Sequence, residues 1–417
     1  MRTSKFVLPL VALLVLAACT ANNSSSAGAG GSAAAFDPNS VTGTVVFTGW
    51  QASKDEGAAL NAALAGFKAK YPKITVNYQP IATDYATGMA AKFSAHQPPD
   101  LFYVDSFVSA DWISQGLLYP LDDWSSSRGF DTSQFYSGFL DAFKGTDGKI
   151  YGFPKDGNSL GLAYNKDMLT AAGITAAPTT WDELVSDAQK LTTGGKHAFC
   201  LSSTLDRALA FIYQNGGALF NDNKTASAVD SDATKQAITW YLDLFKNGWG
   251  VRAKDLGDDW CGTSLGKGKV AMIFEGGWLD PFMKSTYPTI KYAWAPLPKG
   301  KQDANLGFTT SYSIGKDSKN KDAAWVLLTY LTGPEGMKIW TQGGVANPSR
   351  KDVPPAAGKD VLVQGAANAH PWAFIPGFSK INDAFNNAMT AAIEAKSDDP
   401  TKVVNDTNTA INQALNS

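Results

Sequence analysis

The hydrophobic and polar positions of this chain change period along its length, and the changes mark its elements. Val41 to Thr48 alternates and is rich in β-branched residues, which predicts a strand ended by Gly49-Trp50. Ala58 to Tyr71 carries apolar residues at helical spacing and stops before Pro72. Ile74 to Tyr78 reads as a second strand, Tyr85 to His96 as a second helix, and Leu101 to Val104 as a third strand after Pro98-Pro99. Strands alternating with helices predict βαβ units and a mostly parallel sheet, in which ligands gather at the carboxyl ends of the strands. Trp50, Gln51, Asp105 and Ser106 all stand where strand gives way to loop.

The pattern then restarts. Ile150 to Pro154 leads into Leu160 to Tyr164, and a helix opens at Pro178-Thr-Thr-Trp-Asp-Glu183 with Thr180 as its cap. Ala198 to Leu201, an apolar segment from Ala208 to Tyr213 and a helix around Ala233 to Asn247 follow. Val270 to Phe274 is a strand ending in Glu275-Gly-Gly-Trp278, Lys321 to Leu331 an amphipathic helix, and a long helical stretch from about Lys380 closes the chain. With no internal repeat and no second flexible tract, two α/β lobes are the simplest account of a folded part of about 380 residues.

Composition narrows the function. At 44% hydrophobic and 18% charged residues the chain reads as globular, and a net charge of −2 with no basic stripe argues against nucleic acid. Twelve Trp residues call for an explanation, because Trp is large and amphipathic. Arg2 and Lys5 precede the apolar run Phe6 to Leu16, which is followed by Ala17-Ala18-Cys19. That is the layout of a signal peptide, its run of about eleven residues falling short of the roughly 20 that a membrane span needs. Leu16-Ala-Ala-Cys19 resembles the bacterial lipobox, which implies a signal peptide over 1–18, lipid on Cys19, and residues 19–35 as a flexible tether holding an extracytoplasmic protein to the cell membrane. A plain secretory signal is the competing reading. Cys200 and Cys261 then stand in an oxidising compartment, where a disulfide is the default expectation against two separate buried thiols. Three His and these Cys share no metal-ligand spacing, so neither metal nor cofactor is expected.

Several motifs occur in order: Pro99-Asp-Leu-Phe-Tyr-Val-Asp105, Ile113-Ser-Gln-Gly-Leu-Leu-Tyr-Pro-Leu-Asp122, Tyr151-Gly-Phe-Pro154, Leu162-Ala-Tyr-Asn-Lys-Asp-Met-Leu169, Pro178-Thr-Thr-Trp-Asp-Glu-Leu184, Gly266-Lys-Gly-Lys-Val-Ala-Met272, Gly276-Gly-Trp278 and Gly333-Pro-Glu-Gly336. Together they resemble the extracellular solute-binding proteins of sugar ATP-binding-cassette importers, the class containing the maltose-binding protein. The resemblance implies an α/β Venus-flytrap fold of two lobes with a hinge and an interlobe cleft. Lobe I would take 36–153 plus 305–344, and lobe II 154–304 plus 345–417. It also implies a monomer that delivers sugar to a membrane permease, the lipid tether raising its effective concentration there.

Sugars stack their C–H faces on aromatic rings and need paired donors and acceptors for their hydroxyls. The resemblance makes Trp278 the stacking platform, against a core ring. It makes Asp105 a hydroxyl acceptor, against a helix N-cap. Asn158 stands where the family often has Glu, and Asp156 and Glu275 are nearby acids. Trp50 and Gln51 close the first strand, Trp50 reading equally well as packing. Ser311 and Tyr312 cross back between lobes, and Arg350 either forks onto hydroxyls or pairs with an acid. Trp260, Trp372 and Phe211 are weaker aromatic candidates. Asn386 stands where the maltose-binding protein has a stacking aromatic, so maltodextrin specificity does not follow. The alternatives are a peptide, polyamine or metal-chelate ligand in the same fold, a sugar-sensing receptor, and a glycoside hydrolase using two of Asp105, Asp156 and Glu275.

Overall fold

Alternation in the first strand is realised as burial: in the computed structural model Val45 and Phe47 lie in the core while Thr44 is exposed. The structure describes residues 35–50, 54–82, 84–193, 196–344, 346–372 and 374–417, and the folded body runs from Asp37 to Ser417. Its strands are β1 (Gly43–Thr48), β2 (Ile74–Tyr78), β3 (Leu101–Asp105), β4 (Phe153–Pro154), β5 (Asn158–Ser159), β6 (Gly161–Asn165), β7 (His197–Cys200), β8 (Gly250–Val251), β9 (Val270–Glu275), β10 (Tyr292–Ala295), β11 (Asn305–Phe308), β12 (Thr310–Ile314) and β13 (Ala369–Pro371).

They form one sheet per lobe and a small sheet between the lobes. The first lobe has the order β2-β1-β3-β12-β4, the second β10-β6-β9-β7-β8, and the connecting sheet β13-β11-β5. The sheets are mixed rather than mostly parallel. In the first, β1 pairs parallel with β2 and β3 while β12 runs antiparallel to β3 and β4. In the second, β7 is parallel to β8 and β9 while β6 is antiparallel to β9 and β10. The odd strands are those that follow directly from the connecting sheet, β12 after β11 and β6 after β5. A chain entering a lobe from the cleft side starts where its neighbours end, so it must run against them.

Local rules account for most element boundaries. The helix Trp181–Leu191 begins with the expected cap, the Thr180 hydroxyl accepting from the Glu183 N–H at 3.2 Å. The carboxylate of Glu183 reaches back to the Thr179 N–H at 2.7 Å, a capping box displaced by one residue. The first helix starts earlier than its apolar pattern, at Lys54 in Lys54–Lys70, because Asp55 and Glu56 suit an N-terminal turn without belonging to the apolar pattern. The closing stretch is two helices, Phe378–Glu394 and Thr401–Leu415. Lys396 takes a left-handed conformation with φ of 53° and Pro400 cannot continue a helix, so the chain turns and packs the second helix on the first.

Cys200 at the end of β7 and Cys261 at the start of the helix Cys261–Gly266 are joined by a disulfide, with Cα atoms 5.3 Å apart. The bridge sits among Ala163, Leu265, Ile273 and Leu279, on the face of the second sheet away from the larger core of Leu162, Phe199, Phe211 and Phe274. Closing a loop over a sequence separation of 61 restricts the unfolded chain, and we expect Cys200→Ala with Cys261→Ala to cost about 2–4 kcal/mol in denaturant unfolding.

A second tie lies beside it. The Asp258 carboxylate accepts from Lys267 at 2.7 Å, Lys269 at 2.9 Å and the Ser264 hydroxyl at 2.8 Å. Burial alone would raise its pKa, but these donors outweigh burial and hold the group down at about 2 against an ordinary 3.8. A carboxyl depressed in the folded state stabilises above the unfolded pKa and loses that contribution as pH falls through the folded one. Asp258→Asn should therefore lower Tm at neutral pH by roughly 2–4 °C. In melts recorded from about pH 4 down to about pH 2, the gap to the parent protein should narrow.

Candidate ligand-binding site

Strand register brings the cleft together from three sheets. Thr310 of β12 is paired with Asp105 at the end of β3, and Phe308 of β11 is paired with Asn158 of β5. The Thr309 carbonyl between them accepts from the Ser106 N–H at 3.1 Å, and its hydroxyl donates to the Asp156 carbonyl at 2.6 Å. These residues line a cavity of about 470 Å³, completed from the second lobe by Thr204, Asp206 and Trp278. One turn apart on the helix Phe378–Glu394, Asn382 and Asn386 also face it.

Rings form one wall. Trp278 meets Phe308 edge-on at 5.5 Å, Phe308 lies 6.1 Å from Trp372, and Trp372 stacks on Phe107 at 5.9 Å. The indole of Trp278 is fixed by charge as well as by packing. Its Nε1 donates to Glu275 at 2.8 Å, and Arg207 donates to the same carboxylate oxygen at 2.7 Å with its guanidinium carbon 5.3 Å from the ring centre. Burial alone would lower the Arg207 pKa, but the charges of Glu275 and Asp206 more than offset it and hold the group fully cationic. Two glycines make room. A Cβ on Gly276 would stand 2.4 Å from the Trp278 ring, and one on Gly277 would stand 2.7 Å from the Asn158 side-chain oxygen.

The polar wall combines acids and amides. Asp105 caps the helix Ser106–Ser114, its Oδ1 accepting from the Phe107 N–H at 2.8 Å, and the residue also lines the cavity. Burial pushes its pKa up against that backbone bond, and the nearby Asp156 charge pushes the same way. Asp156 accepts from Lys155 at 2.5 Å and from Trp340 Nε1 at 3.3 Å. Asn158 accepts from Asn347 at 2.9 Å, which leaves its own amide group to donate.

Trp278, Asp105, Asn158 and Asp156 thus share one cavity with the weaker candidate Trp372, and the other candidates lie elsewhere. Tyr312 is buried with Phe47 and Tyr103, and Ser311 bonds Ser313 on the opposite face of β12, because a central strand is covered on both sides. Arg350 is bound twice by Asp352, at 2.8 and 2.7 Å, and sits near Phe135. Trp50 packs edge-on against Tyr85 and Tyr103. Glu275 acts behind the site through Arg207 and Trp278. Gln51, Cys19 and the segment 1–34 lie outside the described residues. Trp372 lines the cavity, whereas Phe211 is core.

Sequence reasoning missed Thr204, Asp206, Arg207, Phe107, Phe308 and Asn382. The stretch Ser202 to Arg207 follows the carboxyl end of a recognised strand, the same rule that singled out Asp105. Among the described residues there is no group of His, Cys, Asp and Glu able to hold a metal ion.

Residues 51–338 match the family model for bacterial extracellular solute-binding proteins. A putative binding protein of Brucella abortus is 28% identical over 388 residues, covering 87% of this chain and 91% of its own length. Among solved structures, the substrate-binding protein Lmo0181 of Listeria monocytogenes in complex with cycloalternan superposes with a TM-score of 0.77 at 23% identity, covering 90% of this chain and 99% of that one. The cyclic α-maltosyl-1,6-maltose binding protein of Arthrobacter globiformis gives 0.79 at 18% identity with the same coverages.

Proposed function

This chain belongs to the bacterial extracellular solute-binding protein family, and from that premise we propose that it captures a mono- or oligosaccharide in its interlobe cleft for an ABC importer. The observation that carries the reading is the pairing, in one cavity, of an aromatic wall with short polar groups. Trp278, Phe308 and Trp372 offer apolar surface for C–H faces, while Asp105, Asn158, Asp206 and Asn382 offer acceptors and donors for hydroxyls. Of the two neighbours named above, one was solved in complex with cycloalternan and the other is a cyclic α-maltosyl-1,6-maltose binding protein.

Closure of the lobes about the connecting sheet buries the ligand and presents one surface to the permease. We read Cys19 as the lipid-bearing residue and 19–35 as the leash that keeps a monomeric binder near its transporter. Asp105 and Asp156 serve as hydroxyl acceptors rather than as hydrolytic acid and base.

Thermal melting in graded sugar concentrations tests the reading. Tm should rise with ligand as binding to the folded state requires, equivalent to about 2.7 kcal/mol at 100 times Kd. The sugar should be recovered intact, and release of new reducing ends would overturn the binding-only role.

A further inference from the structure

We propose that Asn386 is a positioning residue for ligand binding: its side-chain oxygen caps the helix Leu205–Gln214 from a different helix and thereby holds Thr204 and Asp206 at the cavity. This deepens the sugar reading above and rests on it. The helix Leu205–Gln214 opens on Thr204, which has the extended backbone of a cap (φ −104°, ψ 150°) and a suitable residue type, yet its side chain makes no capping bond. The Thr204 hydroxyl lies 2.6 Å from that of Ser202 instead. The first N–H of the helix, that of Leu205, donates to Asn386 Oδ1 at 2.8 Å across a sequence separation of 181. An end group that the local sequence leaves unmatched is thus satisfied from the helix Phe378–Glu394.

Asn386 does not hold this turn alone. Asn382, Asn386 and Thr390 recur every four residues, so they form one polar stripe beside the buried Ile381, Phe385 and Met389 of the same helix. Asn382 lines the cavity, Asn386 lines it and caps the neighbouring helix, and the Thr390 hydroxyl lies 3.0 Å from that of Ser203. From other sides, Tyr241 donates to the Ser202 carbonyl at 2.8 Å and the Leu201 N–H donates to the Val251 carbonyl at 3.0 Å. The disulfide to Cys261 fixes Cys200. Cys200, Leu201, Ser202, Ser203 and Leu205 are therefore all tied to other elements, and the residues of this run that line the cavity are Thr204 and Asp206.

Of these ties, the Asn386 bond acts directly between the two residues it positions. Without it the first turn keeps the bonds from the Arg207 and Ala208 N–H groups to the Thr204 carbonyl, both at 3.1 Å, but the N–H of the buried Leu205 loses its acceptor. An unmatched donor at a buried helix end favours fraying of that turn. A ligand must then order Thr204 and Asp206 as it binds, and that cost is taken from affinity.

The test is calorimetric titration of the parent protein, Asn386→Ala and Asn386→Asp with one-, two- and three-ring members of the α-glucan, β-glucan and β-galactan series, together with hydrogen exchange of the Leu205 amide in the absence of sugar. For the tightest sugar, Asn386→Ala should raise Kd about five- to tenfold, and its Leu205 amide should exchange about fivefold faster. Asn386→Asp keeps the accepting oxygen, at a helix N-terminus that favours a carboxylate, and loses the amide donor, so it should recover most of both. A side chain that instead donated to the sugar would lose affinity equally in both variants. That result, a Kd for Asn386→Ala within about twofold of the parent, or equal Leu205 exchange in the two, overturns the capping role while the sugar reading stands. The aspartate variant decides the matter even if the alanine variant fails to fold, since a loss of about tenfold or more in it overturns the role. Absence of heat from every sugar overturns both.

Discussion

Trp278→Ala is expected to weaken sugar binding by about 2–4 kcal/mol, roughly 30- to 1000-fold in Kd. The ring has an apolar face toward the cavity, its N–H is spent on Glu275, and its edge neighbour Phe308 holds its tilt, so it reaches the ligand already ordered. Little side-chain freedom remains to be lost on binding, which is what separates an anchor from a bystander. Because the ring is only partly buried, Tm without ligand should change far less than affinity. Trp278→Phe should fall between the two, keeping a ring and losing the bond to Glu275. Titration calorimetry and melting curves on the three proteins check this, and a Kd for Trp278→Ala within about twofold of the parent would remove the ring from the site.

The largest loss of stability among these substitutions is expected from Arg207→Met. Glu275 is 5% exposed, and its cationic partner is Arg207 at 2.7 Å. Taking the guanidinium away leaves a buried carboxylate without a countercharge, which costs about 3–5 kcal/mol. The double change Arg207→Met with Glu275→Leu should recover much of that, since replacing a buried pair by apolar groups of similar size is often near neutral. It should not recover affinity, because Trp278 loses its acceptor and Asp206 its partner. Denaturant unfolding and sugar titration of the single and double variants separate the two effects. If the double variant is as unstable as the single one, the cost lies in packing and not in the unpaired charge.

What the sequence made legible follows from the kind of signal each residue carries. Alternation and helical spacing located the strands, the rule that ligands collect at strand ends pointed to Asp105, and the resemblance to sugar-binding proteins pointed to Trp278; both residues line the cavity. Asn158 and Asp156 were reachable through their place between two recognised motifs. Tyr312 and Ser311 show the limit: a strand central to its sheet is covered on both faces, so its alternation does not say which face meets solvent or cleft. Arg350 shows another, because a guanidinium two residues from Asp352 finds its partner locally, and spacing alone cannot rank that pair above a ligand. Asp206 and Asn382 stayed hidden since each is a polar residue on a helix with no motif around it, and only the packing of the helix Phe378–Glu394 beside the loop before Leu205 brings them to one cavity. The antiparallel run of β6 and β12 was equally out of reach, being set by where the chain crosses between lobes.

Calorimetric titration of the purified protein against a broad panel of mono- and oligosaccharides, with peptides and polyamines as comparators, tests the central claim most directly. The account predicts saturable heat from at least one sugar at one site per chain, and none from the comparators. A flat response across the sugars with binding of a peptide or an amine would contradict it.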